Sequence, residues 1–187
     1  MILPSWFPSR SESASGLRLL SRAPGGEQDA TEASTAATTP DAEWLSTNPG
    51  GSFAIGTIDR CPRRKYHSLL TVREPGVGEP LNMVAEVEEW FKVGDEAVAL
   101  HSYNWGDSVE PAGVDYLTRF EPLPRWTYEF AGLTVTRELW LEDGADAVWI
   151  RYSVEGVTQP VELRIRPLIR CRPLHDLTTA NPFMNGQ

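Results

Sequence analysis

Arg63, Arg64, Lys65, Tyr66 and His67 put three cations, a phenol and an imidazole into five consecutive positions. Folding does not require such a cluster. Arg, Tyr and His side chains hydrogen-bond hydroxyl-rich ligands, and a phenol ring can stack on a pyranose face. In a regular strand Tyr66 and His67 point to opposite sheet faces, so both reach one site only at a strand end or a bulge. On the sequence two readings stand. Either these residues contact a ligand, or Arg64 and Lys65 are solvated and His67 is a hydrogen-bonded structural residue. Arg172 and His175 form a second cluster around Pro173, which forces irregular backbone. Substrate contact and docking against another domain fit it equally. Among the seven tryptophans, Trp105 lies in a polar segment and is the candidate for sugar stacking. Trp44, Trp90, Trp126, Trp140 and Trp149 are expected in the core, because large aromatics dominate sandwich interiors.

Glycoside hydrolysis needs two carboxylates roughly 5 to 10 Å apart, one of them kept protonated. Glu86, Glu88, Glu89, Asp95, Asp143 and Asp146 are candidates in number. Most fall on alternating strand positions or in hairpin turns, where a solvated surface explains them, and no catalytic acid is assigned. Three scattered histidines and the lack of a CxxC pair give no metal-ligand spacing, so neither metal nor cofactor is expected. Arg164, Arg166 and Arg170 share one face of a regular strand and read as an ion-pair ladder with Glu138 or other acids.

A chain of 187 residues is long enough for one domain with a substantial core. Its 26 acidic and 17 basic residues give a net charge of −9. That balance argues against a nucleic acid or an anionic membrane as partner and is compatible with a neutral polymer. Cys61 and Cys171 are no disulfide scaffold and read as reduced thiols of a cytoplasmic protein. Each precedes an Arg- and His-containing segment, so convergence of those segments would make the thiols neighbours. No apolar run approaches the roughly 20 residues of a membrane span, and the proline-interrupted N-terminus does not read as a signal peptide.

The elements that must position these residues are strands. Residues 1–40, rich in Ser, Ala, Thr, Gly and Glu, read as a flexible lead-in, and the globular part spans 41–187. Phe53, Ile55 and Thr57 alternate with Ala54, Gly56 and Ile58 after the Gly50-Gly51 turn. Residues 81–93 carry helix formers but alternate, and are assigned to a strand that turns at Gly94-Asp95 into 96–100. His101 to Gly113 reads as irregular and Tyr116 to Phe120 as a short strand. Trp126, Tyr128 and Phe130 lead to the Ala131-Gly132 turn. Leu133, Val135, Leu139 and Leu141 share a face, and Asp143-Gly144 makes the next turn. Val148, Ile150, Tyr152 and Val154, then Val161, Leu163 and Ile165, continue the alternation. Alternating strands joined by Gly turns predict an antiparallel β-sandwich.

The chain also resembles a known family. Trp44-Leu-Ser-Thr-Asn-Pro-Gly-Gly-Ser-Phe-Ala-Ile-Gly-Thr57 and Arg64-Lys-Tyr-His-Ser-Leu-Leu70 are similar to the N-terminal domain of bacterial and archaeal-type glycogen debranching enzymes, the amylo-α-1,6-glucosidases. Pro49-Gly50-Gly51-Ser52 stands where the family often has Gly-Leu-Gly-Gly, and Ser68 where it usually has Gly. The Pro111–Tyr128 and Leu163–Thr178 segments extend the likeness in order, to about residue 182. The resemblance implies a supersandwich-type domain ahead of an (α/α)₆ barrel that holds the catalytic carboxylates. The family's domain normally runs further than this chain, so the barrel is not expected here and a truncated sandwich is. It implies α-glucan, as glycogen or limit dextrin, and the missing catalytic domain as partners. It favours substrate contact by Arg64, Lys65, Tyr66 and His67, which with Trp105, Arg172 and His175, singled out above by residue type and setting, are the candidate substrate-contact residues.

Overall fold

The computed structural model describes residues 39–73, 76 and 78–177. The expected lead-in, apart from Thr39 and Pro40, lies outside them. Twelve strands run through the described residues, with one 3₁₀ turn at Gly113–Tyr116. They are β1 (Glu43–Thr47), β2 (Phe53–Thr57), β3 (Ser68–Val72), β4 (Leu81–Val93), β5 (Glu96–Ala99) and β6 (Ser102–Asn104). There follow β7 (Val109–Ala112), β8 (Leu117–Glu121), β9 (Arg125–Phe130), β10 (Leu133–Leu141), β11 (Val148–Glu155) and β12 (Val161–Pro173).

All pairings are antiparallel. The first sheet runs β1-β2-β3-β4-β12, with β5 on β4, and the second runs β11-β10-β9-β8. The inward faces of the two sheets meet in one core, as the predicted sandwich requires. Trp44 of the first sheet meets Trp126 of the second edge-on at 5.4 Å. Phe91 meets Phe130 in the same way at 5.8 Å. The hairpin signals hold: Ala131 and Gly132 have φ of 48° and 75°, the left-handed pair that a two-residue turn between twisted strands needs.

Two boundaries differ from the expectation. The segment His101–Gly113 is not irregular throughout, since β6 and β7 pair as a small hairpin within it. Tyr116 closes the 3₁₀ turn, so β8 begins only at Leu117. Gly113 explains the turn's position: a Cβ there would lie 2.4 Å from the main chain of Leu100, so only glycine lets the turn pack against the end of β5.

The long strand β4 organises the first sheet. Along one edge β12 follows nearly its whole length. Along the other, β3 pairs only with its first residues and β5 only with its last. Arg60 fills the interval. Its φ is 54°, and its guanidinium enters the gap, donating to Val87 O at 2.7 Å and Leu100 O at 3.3 Å. The same group pairs with Glu86 at 2.9 Å and Glu89 at 2.5 Å. Glu89 is shared with Arg137 of β10 at 2.9 Å and accepts from the Tyr152 hydroxyl of β11. Arg137 also lies 4.9 Å from the Trp126 ring centroid, a cation–π contact.

Glu86, Glu88 and Glu89 are therefore buried, not on a solvated surface as the sequence suggested. Burial alone pushes the Glu89 carboxyl upward, but Arg60 and Arg137 outweigh it and hold it below the usual range. The predicted arginine ladder is also rearranged. Arg166 pairs with Glu88 and Arg164 with Glu162, while Glu138 is taken by Arg151 and Arg125.

Two outcomes follow for stability. Glu89→Ala leaves two buried guanidinium groups without their shared acceptor and should cost about 3–5 kcal/mol in urea unfolding. His101 is buried against Trp90 at 4.8 Å, and burial first, then Arg60, push it from 6.5 down to about 4. Between those values the unfolded chain takes up a proton that the folded chain refuses, so stability falls as pH falls. Unfolding at about pH 7 and about pH 5 should differ by about 2 kcal/mol from this group, and His101→Gln should remove that share.

Candidate functional site

The Cys61–His67 loop is built from its own side chains. Asp59 and Arg63 pair at 2.5 Å, and Arg63 also donates to Cys61 O at 3.1 Å. Thr57 Oγ donates to Cys61 O at 3.0 Å. The loop thus stands as a preformed arch before β3 begins at Ser68.

His67 closes the arch from below. Its Nδ1 accepts from the Arg63 N–H at 3.1 Å, so the ring proton sits on Nε2, which faces Glu43 Oε1 at 3.0 Å. His67 is buried with both nitrogens engaged, and it positions the loop. Arg64 is exposed and also reaches Glu43, at 3.0 Å.

Lys65 and Tyr66 turn the other way, toward the end of β12. Lys65 Nζ donates to His175 O at 2.7 Å and lies 5.1 Å from the Tyr66 ring centroid. The Tyr66 hydroxyl is 3.4 Å from His175 Nδ1, with the two rings edge-on at 5.8 Å. Arg172 ties the segments together from beneath. Its guanidinium donates to Lys65 O at 2.5 Å, to Pro173 O at 3.1 Å, to Leu174 O at 3.2 Å and to Asp176 O. Arg170 adds a bond of 3.4 Å to His67 O, and burial and then Arg172 lower the basicity of its half-buried guanidinium.

The two clusters that lie more than a hundred residues apart in sequence thus meet at one sheet end, on Lys65, Tyr66, Arg172 and His175. Among the described residues, Lys65, Arg170 and Arg172 bond main-chain carbonyls and pair with no acid. The surface presents an ammonium, a phenol and an imidazole in a chain that is acidic overall. Cys61 is buried and Cys171 exposed, and both are free.

Trp105 stands elsewhere, at the tip of the β6–β7 hairpin. It is 70% exposed, its Nε1 donates to Glu110 O at 2.7 Å, and its ring tilts against Tyr103 at 6.0 Å. Trp44 and Trp126 are buried as expected, but Trp140 and Trp149 are exposed. Both lie on the outer face of the second sheet, because their neighbours Leu139 and Leu141 take the inward positions.

A cavity with about 10 Å³ of free volume lies by Trp44, Arg60, His67, Glu86, Trp126 and Arg137, room for about one water and too small for a sugar ring. Among the described residues no group of three His, Cys, Asp or Glu is arranged to hold a metal ion, and no helix is long and apolar enough to cross a membrane.

Sequence reading missed Arg60 and Arg137, and put Arg170 in an ion-pair ladder, whereas it bonds the His67 carbonyl. The signal for Arg137 was present: it occupies the odd position in the run Leu133, Val135, Leu139, Leu141, and so faces inward. Arg60 has no such signal, since its place depends on a left-handed turn.

Arg172→Ala removes the group that gathers the carbonyls of Lys65, Pro173, Leu174 and Asp176. We expect it to loosen both segments, with trypsin cutting at Arg64 and Lys65 several-fold faster than in the unaltered protein.

The family model described as glycogen debranching enzyme N terminal matches residues 42–187. No curated protein and no solved structure matches the chain.

Proposed function

The chain belongs to the glycogen debranching enzyme N-terminal family, and from that premise we propose that it is the non-catalytic N-terminal domain of an α-1,6-glucosidase. In this reading it supports a helical catalytic barrel and contacts the glucan, glycogen or limit dextrin, through Lys65, Tyr66 and His175. The observation that carries the reading is the convergence of the two motif segments, Arg64–His67 and Arg172–His175, on one surface. The Lys65 ammonium and the Tyr66 hydroxyl can bond sugar hydroxyls, and the Tyr66 ring can stack on a pyranose. Lys65, which pairs with no acid among the described residues, also suits a barrel surface bearing carboxylates.

The state of the buried acids supports a non-catalytic role. A general acid must be protonated and must reach the scissile oxygen. Glu89 is fully buried and held ionised by two arginines. Glu88 is buried beneath Arg166 and Tyr103. Ile150, Val154 and Leu163 of the edge strands β11 and β12 pack against the core and are only partly covered by it, which leaves the open edge available to the barrel. The same reading puts the protein in the cytoplasm, where two free cysteines stay reduced. A stand-alone α-glucan-binding module is the second reading, favoured by the exposure of Trp105.

The test is an assay of glucose release from limit dextrin, with the chain alone and with the chain joined to the barrel of a debranching enzyme. The chain alone should release none. In the joined enzyme Tyr66→Ala should raise KM about tenfold, as the loss of one good substrate contact does. Glucose release by the chain alone overturns the proposal.

A further inference from the structure

Trp140 of β10 and Trp149 of β11 are directly opposed across the hairpin. Their planes lie 12° apart with centroids at 6.4 Å, and both rings stay open to solvent at 40% and 39%. Each ring is held. Trp149 Nε1 donates to Glu142 Oε2 at 2.6 Å. Arg151 lies 5.6 Å from the Trp140 ring centroid and is fixed by Glu138 at 2.6 Å. The turn that joins the strands is tethered to the other sheet. Asn48 Nδ2 donates to Glu142 O at 2.8 Å and to Ala145 O at 3.1 Å, and Ser52 Oγ donates to Asp146. The two rings are thus ordered before any ligand arrives, which lowers the cost of binding.

The surroundings limit what can sit there. The next row on this face pairs Glu138 with Arg151 and Arg125, and the row beyond aligns Thr136 with Ser153 and Thr127. Two indoles in a polar field make an apolar island far smaller than the roughly 800 Å² per partner of a stable protein interface. The carboxylates of Glu138 and Glu142 disfavour phosphate-bearing ligands. A short run of linked pyranoses meets both conditions. Its C–H faces are apolar and ring-sized, and its hydroxyls can bond the Glu138, Glu142 and Arg151 side chains at the rim.

We propose that Trp140 and Trp149 form a second α-glucan subsite, on the outer face of the second sheet and distinct from the Lys65–His175 surface. The assignment rests on the debranching-domain reading given above. Its role would be to hold the polymer at a distance from the Lys65–His175 surface, so that chains dissociating there stay near the enzyme.

The test is electrophoresis of the full chain in gels with and without glycogen. The native protein should be retarded by glycogen. The double variant W140T/W149T keeps strand-forming residues and should bind about tenfold more weakly, as the loss of two stacking rings implies. W140F/W149F should keep most of the retardation. A Thr variant that is folded by circular dichroism and retarded like the native protein overturns the subsite. So does a native protein that glycogen does not retard, or self-association that the Thr variant abolishes, which would mark the rings as a contact between copies. Should the Thr variant not fold, indole N–H resonances of the native protein decide. Maltoheptaose should shift those of Trp140 and Trp149 and leave that of buried Trp126 in place, and the reverse overturns the proposal. The barrel assay for Tyr66 does not depend on any of these outcomes, so the two readings can fail separately.

Discussion

A pair of carboxylates and a pair of guanidinium groups, closed off from water between two sheets, is the constraint on which the sandwich depends. Glu86 and Glu89 project from β4, Arg60 from the turn after β2, and Arg137 from β10. The four charges cancel, which is the condition for burying them at all. The arrangement also does something that apolar packing could not do. Arg60 supplies hydrogen bonds to main-chain oxygens where β4 has neither β3 nor β5 beside it. A leucine at that place would fill space and leave Val87 O without its donor. The network therefore fixes the register of the two sheets and seals a gap within one of them.

The same arrangement separates the inside of the domain from the surfaces we propose for recognition. Glu86, Glu88 and Glu89, the clustered acids of β4, are each held by arginine and buried. What faces outward includes a cationic and aromatic sheet end at Lys65, Tyr66 and His175, the Trp105 indole beside Tyr103, and a paired indole platform at Trp140 and Trp149. Hydroxyl-rich polymers are recognised by such groups, whereas bond cleavage needs an accessible acid and base.

Much of this was legible in the chain itself. Alternation and glycine turns identified the strands, including β4 against its helix-forming glutamates, although residues 85–89 of β4 are buried on both faces. The motif segments 64–67 and 172–175 were singled out by residue type, although their meeting is a property of the folded sheet. What failed did so for physical reasons. Trp140 and Trp149 were assigned to the core by size, when their strand parity, between Leu139 and Leu141 for the first, put them outside. Glu86, Glu88 and Glu89 were read as surface by charge, although Glu89 shares its face with Val87 and Phe91. Their partners Arg60, Arg137 and Arg166 lie 26 to 78 positions away, so the compensation that makes their burial tolerable cannot be seen locally. Position in the alternation carried more information than residue character.

The most direct test of this account is the ionisation of Glu89 in the native protein, followed by carbon-13 NMR of its carboxyl group during an acid titration. If the carboxylate is committed to Arg60 and Arg137, it stays ionised through the weakly acidic range and protonates only below the ordinary glutamate value or on unfolding. A carboxyl group that takes up its proton near neutral pH, as a glycosidase acid does, would contradict the assignment of the buried acids to structure.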